Sequence, residues 1–273
     1  MRFGFHTIHF SPMFGGNGAL LDVIAATAAA GFDAIGIDLP SVEAHVETGG
    51  SVDQVADAIA GTGLRCTDVL VVVAGVEDDV LTKAETLGAL AESIGAPACI
   101  AAVGAPVPWP ALVRSLRECA DILGGHGCRL AIEFTPYSAL GTLEEAKRLC
   151  GEIGWDNAGL VLDSLHFFRS GAPWDELDDL TPDQLLVVQW NDVLDAPTGS
   201  LLDESRNRRL LPGDGTLALI ELATAIRRLG FDGTVSAEIL SDSFRKSDPA
   251  TAIRATYAAL TDPAAGWLTA ATG

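Results

Sequence analysis

The sequence predicts an α/β protein, a single (β/α)8 TIM barrel over residues 1–273, and three observations predict it. Strand-like and helix-like segments alternate along the whole chain, without a linker of distinct composition or a low-complexity tract. That alternation belongs to a parallel sheet covered by helices. The length of 273 residues suits a closed barrel, which typically takes about 250. Finally, four short apolar runs in the second half each close on a polar residue: Glu133 in RLAIEF, Asp163 in GLVLDSLH, Gln189 in LLVVQWND and Glu238 in TVSAEI. In a parallel barrel such strand ends converge on one mouth, where the chemistry sits.

The elements follow in order. Residues 2–7 read as a first strand, then a glycine-rich loop (SPMFGGNG) and an alanine-rich helix over 19–30. Gly31 stops that helix, and a second strand ends near Asp38. A helix over 51–61 takes Ser51 as its N-cap. Strand 64–73, helix 77–94 and strand 98–103 come next. PWPA opens a helix over 109–123 with Pro110 in its first turn, ahead of strand 128–134. Thr142 and Glu145 have the spacing of a capping box at the start of helix 142–150. Strand 159–163, a short helix near 174–180 and strand 185–191 follow. A long polar segment over 192–209 leads into LLPGDG, and helix 217–229, strand 234–239 and helix 249–260 complete eight units.

Side chains alternate across a strand. If Glu133, Asp163, Gln189 and Glu238 point into the barrel, so do Ala131, Val161, Val187 and Ser236 one layer below. Those are small or branched residues suited to a crowded axis. Ile132, Leu162 and Val188 then face the helices.

Bulk properties narrow the function. Seventeen basic against 37 acidic residues give a net charge of −20, which repels phosphate backbones and disfavours a nucleic-acid partner. The cysteines Cys66, Cys99, Cys119, Cys128 and Cys150 lack the paired spacing of a zinc or redox motif, so reduced, buried thiols are expected. MRFGFHTIHF lacks an apolar signal core, and no run approaches the roughly 18 apolar residues of a membrane span. A cytoplasmic protein acting on a small molecule, without a membrane, is the expectation.

Three carboxylates and an amide oxygen meeting at one mouth would repel one another without a cation. Oxygen donors suit hard ions such as Mg²⁺, and Mn²⁺ accepts them too. Glu133, Asp163, Gln189 and Glu238 are therefore the candidate metal ligands. His166, three residues beyond Asp163, lies just over the mouth. Arg206 and Arg209, in the long loop after the seventh strand, are each able to clamp an oxyanion with a planar fork; Arg208 reads as a surface residue. His6 shares a strand face with Gly4 and is a candidate to reach the substrate. PGDG is a turn before a helix and lacks the lysine of a phosphate-binding P-loop.

In this order and spacing, the second half resembles the xylose-isomerase-like sugar isomerase/epimerase superfamily, which also includes endonuclease IV and several dehydratases. Glu133 stands at that family's first glutamate ligand, LDSLH supplies Asp163 as ligand and His166 as substrate contact, and Glu238 in TVSAEI matches the last ligand. SRNRRLLPGDG resembles the family's arginine and PGxG block. Where the family commonly has histidine as third ligand this chain has Gln189, as some members do, including a 3-dehydroshikimate dehydratase branch. Gly36 replaces a glutamate common near the end of strand two, with Asp38 nearby. DVLVVVAG lacks the arginine-bearing motif of dehydroshikimate dehydratases, and the histidine-rich ligand set of endonuclease IV is missing.

The resemblance implies a divalent ion (Mn²⁺ or Mg²⁺) and isomerisation or epimerisation of a small sugar, keto-sugar or polyol derivative, with Glu133 and Glu238 as acid/base pair and a homodimer as the family-level assembly. The enzymatic alternative, second to it, is a lyase of the dehydroshikimate or inosose dehydratase type, which begins with the same proton abstraction beside a carbonyl. A barrel retained as a binding or partner subunit is the non-enzymatic alternative.

Overall fold

The structure, a computed structural model, describes residues 2–76, 79–197 and 199–267. Eight strands close into a barrel in sequence order: β1 (Arg2–His6), β2 (Ala34–Asp38), β3 (Arg65–Ala74), β4 (Ala98–Val103), β5 (Arg129–Glu133), β6 (Ala158–Asp163), β7 (Leu185–Trp190) and β8 (Thr234–Ala237). Every neighbouring pair is parallel, including β1 with β8, which removes both sheet edges.

The helices are α1 (Leu20–Ala30), α2 (Leu39–Glu47), α3 (Val52–Thr62), α4 (Val80–Ile94), α5 (Trp109–Gly125), α6 (Leu143–Ile153), α7 (Ser164–Ser170), α8 (Asp175–Asp178), α9 (Leu201–Asn207), α10 (Leu219–Arg228), α11 (Asp242–Arg245) and α12 (Pro249–Thr261). Local chemistry sets their ends. Ser51 and Gln54 form a reciprocal capping box on α3, and Thr142 and Glu145 form another on α6. Gly31 closes α1 in the left-handed region at φ 102°, which a Cβ would penalise. Among the described residues no helix is long and apolar enough to cross a membrane.

The buried residues form two bodies. One lies between strands and helices and holds Ile132, Leu162 and Val188. The other fills the barrel axis and includes Leu70, Ile100, Ala131, Val161 and Val187. This is the predicted inward and outward division of β5, β6 and β7. All five cysteines are buried free thiols.

The sequence reading places no helix at α7 or α11, and three further segments differ from it. Residues 39–47 form α2, whose start is capped by Asp38 through the Ser41 N–H; Pro40 and a run of small residues hid it. Residues 201–207, expected within a polar loop, form α9 with Ser200 as cap. The helix expected from 77 begins at Val80, capped by Asp79, and residues 77 and 78 lie outside the described residues.

Candidate active site

Glu133 and Asp163 end β5 and β6, Gln189 lies one residue before the end of β7, and Glu238 follows β8 directly. In the ladder Asp163 pairs with Gln189, and Gln189 with Ser236. The Glu238 N–H donates to the Trp190 carbonyl at 3.1 Å, extending the alignment by one residue. The four predicted side chains therefore stand around one arc of the barrel mouth.

Arg209 is the hub of that arc. Its Nη1 donates to Asp163 Oδ2 and to Glu238 Oε2, each at 2.7 Å, and to the Glu238 carbonyl at 3.1 Å. Its other nitrogens hold Ser205, at the carbonyl (2.7 Å) and the hydroxyl (3.1 Å). Asp163 also accepts from the His166 N–H at 3.0 Å, capping α7, and from Asn191 Nδ2 at 2.9 Å. Gln189 Nε2 donates to Glu238 Oε1 at 2.9 Å. With Glu238 as an ionised acceptor, Nε2 is the donor of this bond, and Gln189 Oε1 is buried with no hydrogen-bond partner.

A cavity of about 300 Å³ opens above this arc, lined by Glu133, His166, Gln189, Arg209 and Glu238, with Arg206 on its wall. Asp163 lies behind Arg209 rather than on the lining. Arg206 is exposed, its guanidinium 6.0 Å from the Phe14 ring centre, while Arg208 pairs with Asp203 at 2.6 Å. His6 does not line the cavity. Its Nδ1 accepts the Ile8 N–H at 3.1 Å, so Nε2 carries the hydrogen and donates it to Asp68 at 3.0 Å. Asp38 is likewise turned away, accepting hydroxyls of Thr7 and Ser11 at 2.6 Å.

Three neighbours escaped the sequence reading. Asn191 shares the strand parity of Gln189 and was findable on that signal. Tyr137 reaches Ser205 Oγ at 3.0 Å and sets its ring edge-on to His166, 5.6 Å between centres. Both Tyr137 and Ser205 sit beyond strand ends, where no periodicity marks them.

The charges are unevenly matched. Burial, then the charges of Glu238 and Asp163, push the Glu133 carboxyl well above the ordinary carboxylate range. Burial also leaves Glu238 raised, against the pull of Arg209. Burial would raise Asp163 as well, but Arg209 and His166 outweigh it and hold that carboxyl low. His166 is driven down to about 4 by burial, so its ring is neutral, with Nδ1 unpartnered. Glu133 Oε1 lies 3.8 Å from His166 Nε2. One guanidinium thus faces three carboxyl groups.

A family profile described as "xylose isomerase-like TIM barrel" matches residues 24–262. The chain belongs to that family. Among curated members, an inosose isomerase of Bacillus subtilis (strain 168) is 32% identical over 136 residues, 49% of this chain and 48% of the relative. A 3-dehydroshikimate dehydratase of Pseudomonas aeruginosa is 30% identical over 140 residues, 50% of this chain and 22% of the relative. The chain thus spans about half the length of the inosose isomerase, and less of the dehydratase. Among solved structures, the IOLI protein with a bound zinc atom superposes with a TM-score of 0.85 at 23% identity, covering 96% of this chain and 97% of that one. An L-ribulose 3-epimerase superposes with a TM-score of 0.75 at 18% identity, covering 98% and 95%. At those identities the superpositions show the family's fold.

Asp163 and Glu238 are separated by Arg209, and among the described residues no three His, Cys, Asp or Glu side chains are gathered in metal-holding geometry. The donor chemistry nevertheless fits a hard or borderline divalent ion. Gln189 Oε1 is a buried acceptor lacking a donor, and Glu133 is a partly buried carboxyl that lines the cavity.

Proposed function

We propose that this chain is a divalent-metal-dependent isomerase or epimerase that moves a proton next to a carbonyl in a small sugar, keto-sugar or cyclic polyol derivative. The observation that carries the reading is the buried, unpartnered Gln189 Oε1, on a strand flanked by those that end at Asp163 and just before Glu238. A buried acceptor without a donor costs about 1–3 kcal/mol, a cost relieved by a cation. The inosose isomerase relative and the zinc-bound neighbour support the same reading.

Glu133, Asp163, Gln189 and Glu238 would hold the ion, Mn²⁺, Mg²⁺ or Zn²⁺. Held there, such an ion would supply Lewis-acid polarisation of a carbonyl and its adjoining hydroxyl. Glu133 and Glu238, at the ends of β5 and β8 three strands apart, hold and move the proton at the neighbouring carbon through their carboxyl oxygens. Gln189 cannot shuttle a proton, so it acts as a ligand. Neutral His166 orients a substrate oxygen through Nε2, and Arg209 steadies Asp163 and Glu238 while facing the cavity.

A dehydratase shares the first proton abstraction and then expels a β-hydroxyl; the 3-dehydroshikimate dehydratase relative favours keeping it as the second reading. Metal content of chelator-free protein, compared between wild type and Glu238→Gln, is the first test. About one ion per wild-type chain, reduced in the variant, together with exchange of the α-proton of inosose into D2O, supports the proposal. A new ultraviolet-absorbing product moves it to the dehydratase. A wild type that neither holds nor regains an ion sinks both and leaves a binding subunit.

A further inference from the structure

The cavity is chemically two-sided. Its β5–β8 side carries Glu133, His166, Gln189, Arg209 and Glu238, whereas its β3–β4 side is formed by Leu70, Val71, Val73, Ile100, Ala102 and Val103. The backbone explains the width of the apolar side. The β3–β4 register shifts between Leu70 and Val72, and such a bulge brings two successive side chains to one face. Leu70 and Val71 therefore both join the inner apolar body, and Val73 continues the wall towards the rim. Two further apolar residues, Ile8 and Leu240, join the lining and pack with this body.

We propose that the substrate is an α-hydroxyketone with one apolar edge: its carbonyl and adjacent hydroxyl face β5–β8, and the part facing β3–β4 carries hydrogen rather than hydroxyl. This rests on the isomerase reading and narrows its substrate class. Among the described residues, no side-chain donor or acceptor on the valine wall replaces the water that a hydroxyl loses there. Each hydroxyl pressed against it costs about 10-fold or more in affinity. The same physics limits the discrimination to about 100-fold, because an apolar pocket rejects an added hydroxyl only moderately. Val73 is the specificity-determining position, since it stands on the wall and is partly open to the cavity.

The test uses the full chain reconstituted with Mn²⁺ and two probes: inosose, hydroxylated around its ring, and 2-hydroxycyclohexanone, whose remaining ring carbons are methylenes. Kd is read by ligand-observed NMR, and α-proton exchange in D2O gives kcat/KM. The expected result is that 2-hydroxycyclohexanone binds about 10-fold or more tightly than inosose. Val73→Thr, which changes shape little and adds a hydroxyl, shifts that ratio towards inosose by about 10-fold, with a circular dichroism spectrum matching wild type. Equal or tighter inosose binding, an unmoved ratio in Val73→Thr, or no binding of either probe overturns the inference. Binding in the expected ratio without any α-proton exchange instead overturns the isomerase reading and leaves the apolar-edge assignment standing.

Discussion

Arg209 Nη1 lies 2.7 Å from Asp163 Oδ2, and the same nitrogen lies 2.7 Å from Glu238 Oε2. A side chain from the loop after β7 thereby separates two carboxylates from β6 and β8, all three almost fully buried. Arg209 supplies the positive charge that lets both stay buried, and it stands between two of the proposed metal ligands.

Arg209→Met removes that charge and leaves two buried carboxylates facing each other. Breaking such a pair costs about 3–5 kcal/mol. Mn²⁺ or Zn²⁺ should raise the Tm of the variant more than that of wild type, because the ion takes over the neutralisation. Thermal melts with and without metal check this; a variant that metal fails to stabilise contradicts a shared ion site.

Gln189→Met deletes the unpartnered oxygen while keeping the side-chain length. Metal affinity should fall by about 10-fold, the worth of roughly 1.4 kcal/mol, and the Glu238 carboxylate also loses a donor. Gln189→Glu should tighten the ion by adding charge. Competition against a chromogenic chelator measures both variants, and identical affinities would remove Gln189 from the ligand set.

His9 predicts acid sensitivity. Its Nε2 accepts the Ile239 N–H at 2.6 Å and its ring stacks on Phe5 with centres 4.3 Å apart. Burial lowers it from 6.5 to about 3. Between these values the unfolded chain binds the proton and the folded one does not, so stability is present above about pH 6.5 and is lost as pH falls towards 3. The slope from this one group is about 1.4 kcal/mol per pH unit. Denaturant titrations from pH 7 to pH 4 should show a shallower fall in His9→Gln than in wild type.

Gly36→Ala tests the inner packing. A Cβ at Gly36 would stand 2.2 Å from His6 Cδ2 and 2.6 Å from its Nε2, forcing the ring off Asp68. Overpacking of this kind costs about 1–3 kcal/mol. Chemical denaturation should show that loss, and Gly36→Ala combined with His6→Ala should recover part of it.

The sequence made some of this legible for identifiable reasons. Glu133, Asp163, Gln189 and Glu238 stood out because a polar residue closing an apolar run in a parallel barrel has one place to go, the mouth. Ser51 and Thr142 announced their helices through short-range capping. Helix α2 stayed hidden, since Asp38 reads equally well as the end of a strand and as a cap. His6 was expected to reach the substrate on strand parity; parity is right about the barrel interior but cannot say that Asp68, 62 residues away, takes the ring.

Alternation with period two, helix caps and chain length by themselves determined an eightfold barrel and the strands whose ends carry the polar arc. These are local properties, set by backbone geometry and desolvation within a few residues. Only the tertiary structure decided that Arg209 rather than Arg206 enters the arc, that Gln189 turns its nitrogen to Glu238 and leaves its oxygen free, and that β3 and β4 present an apolar wall. Each of those depends on side chains brought together by barrel closure, where the low-dielectric interior makes a single misplaced charge or unpartnered oxygen costly.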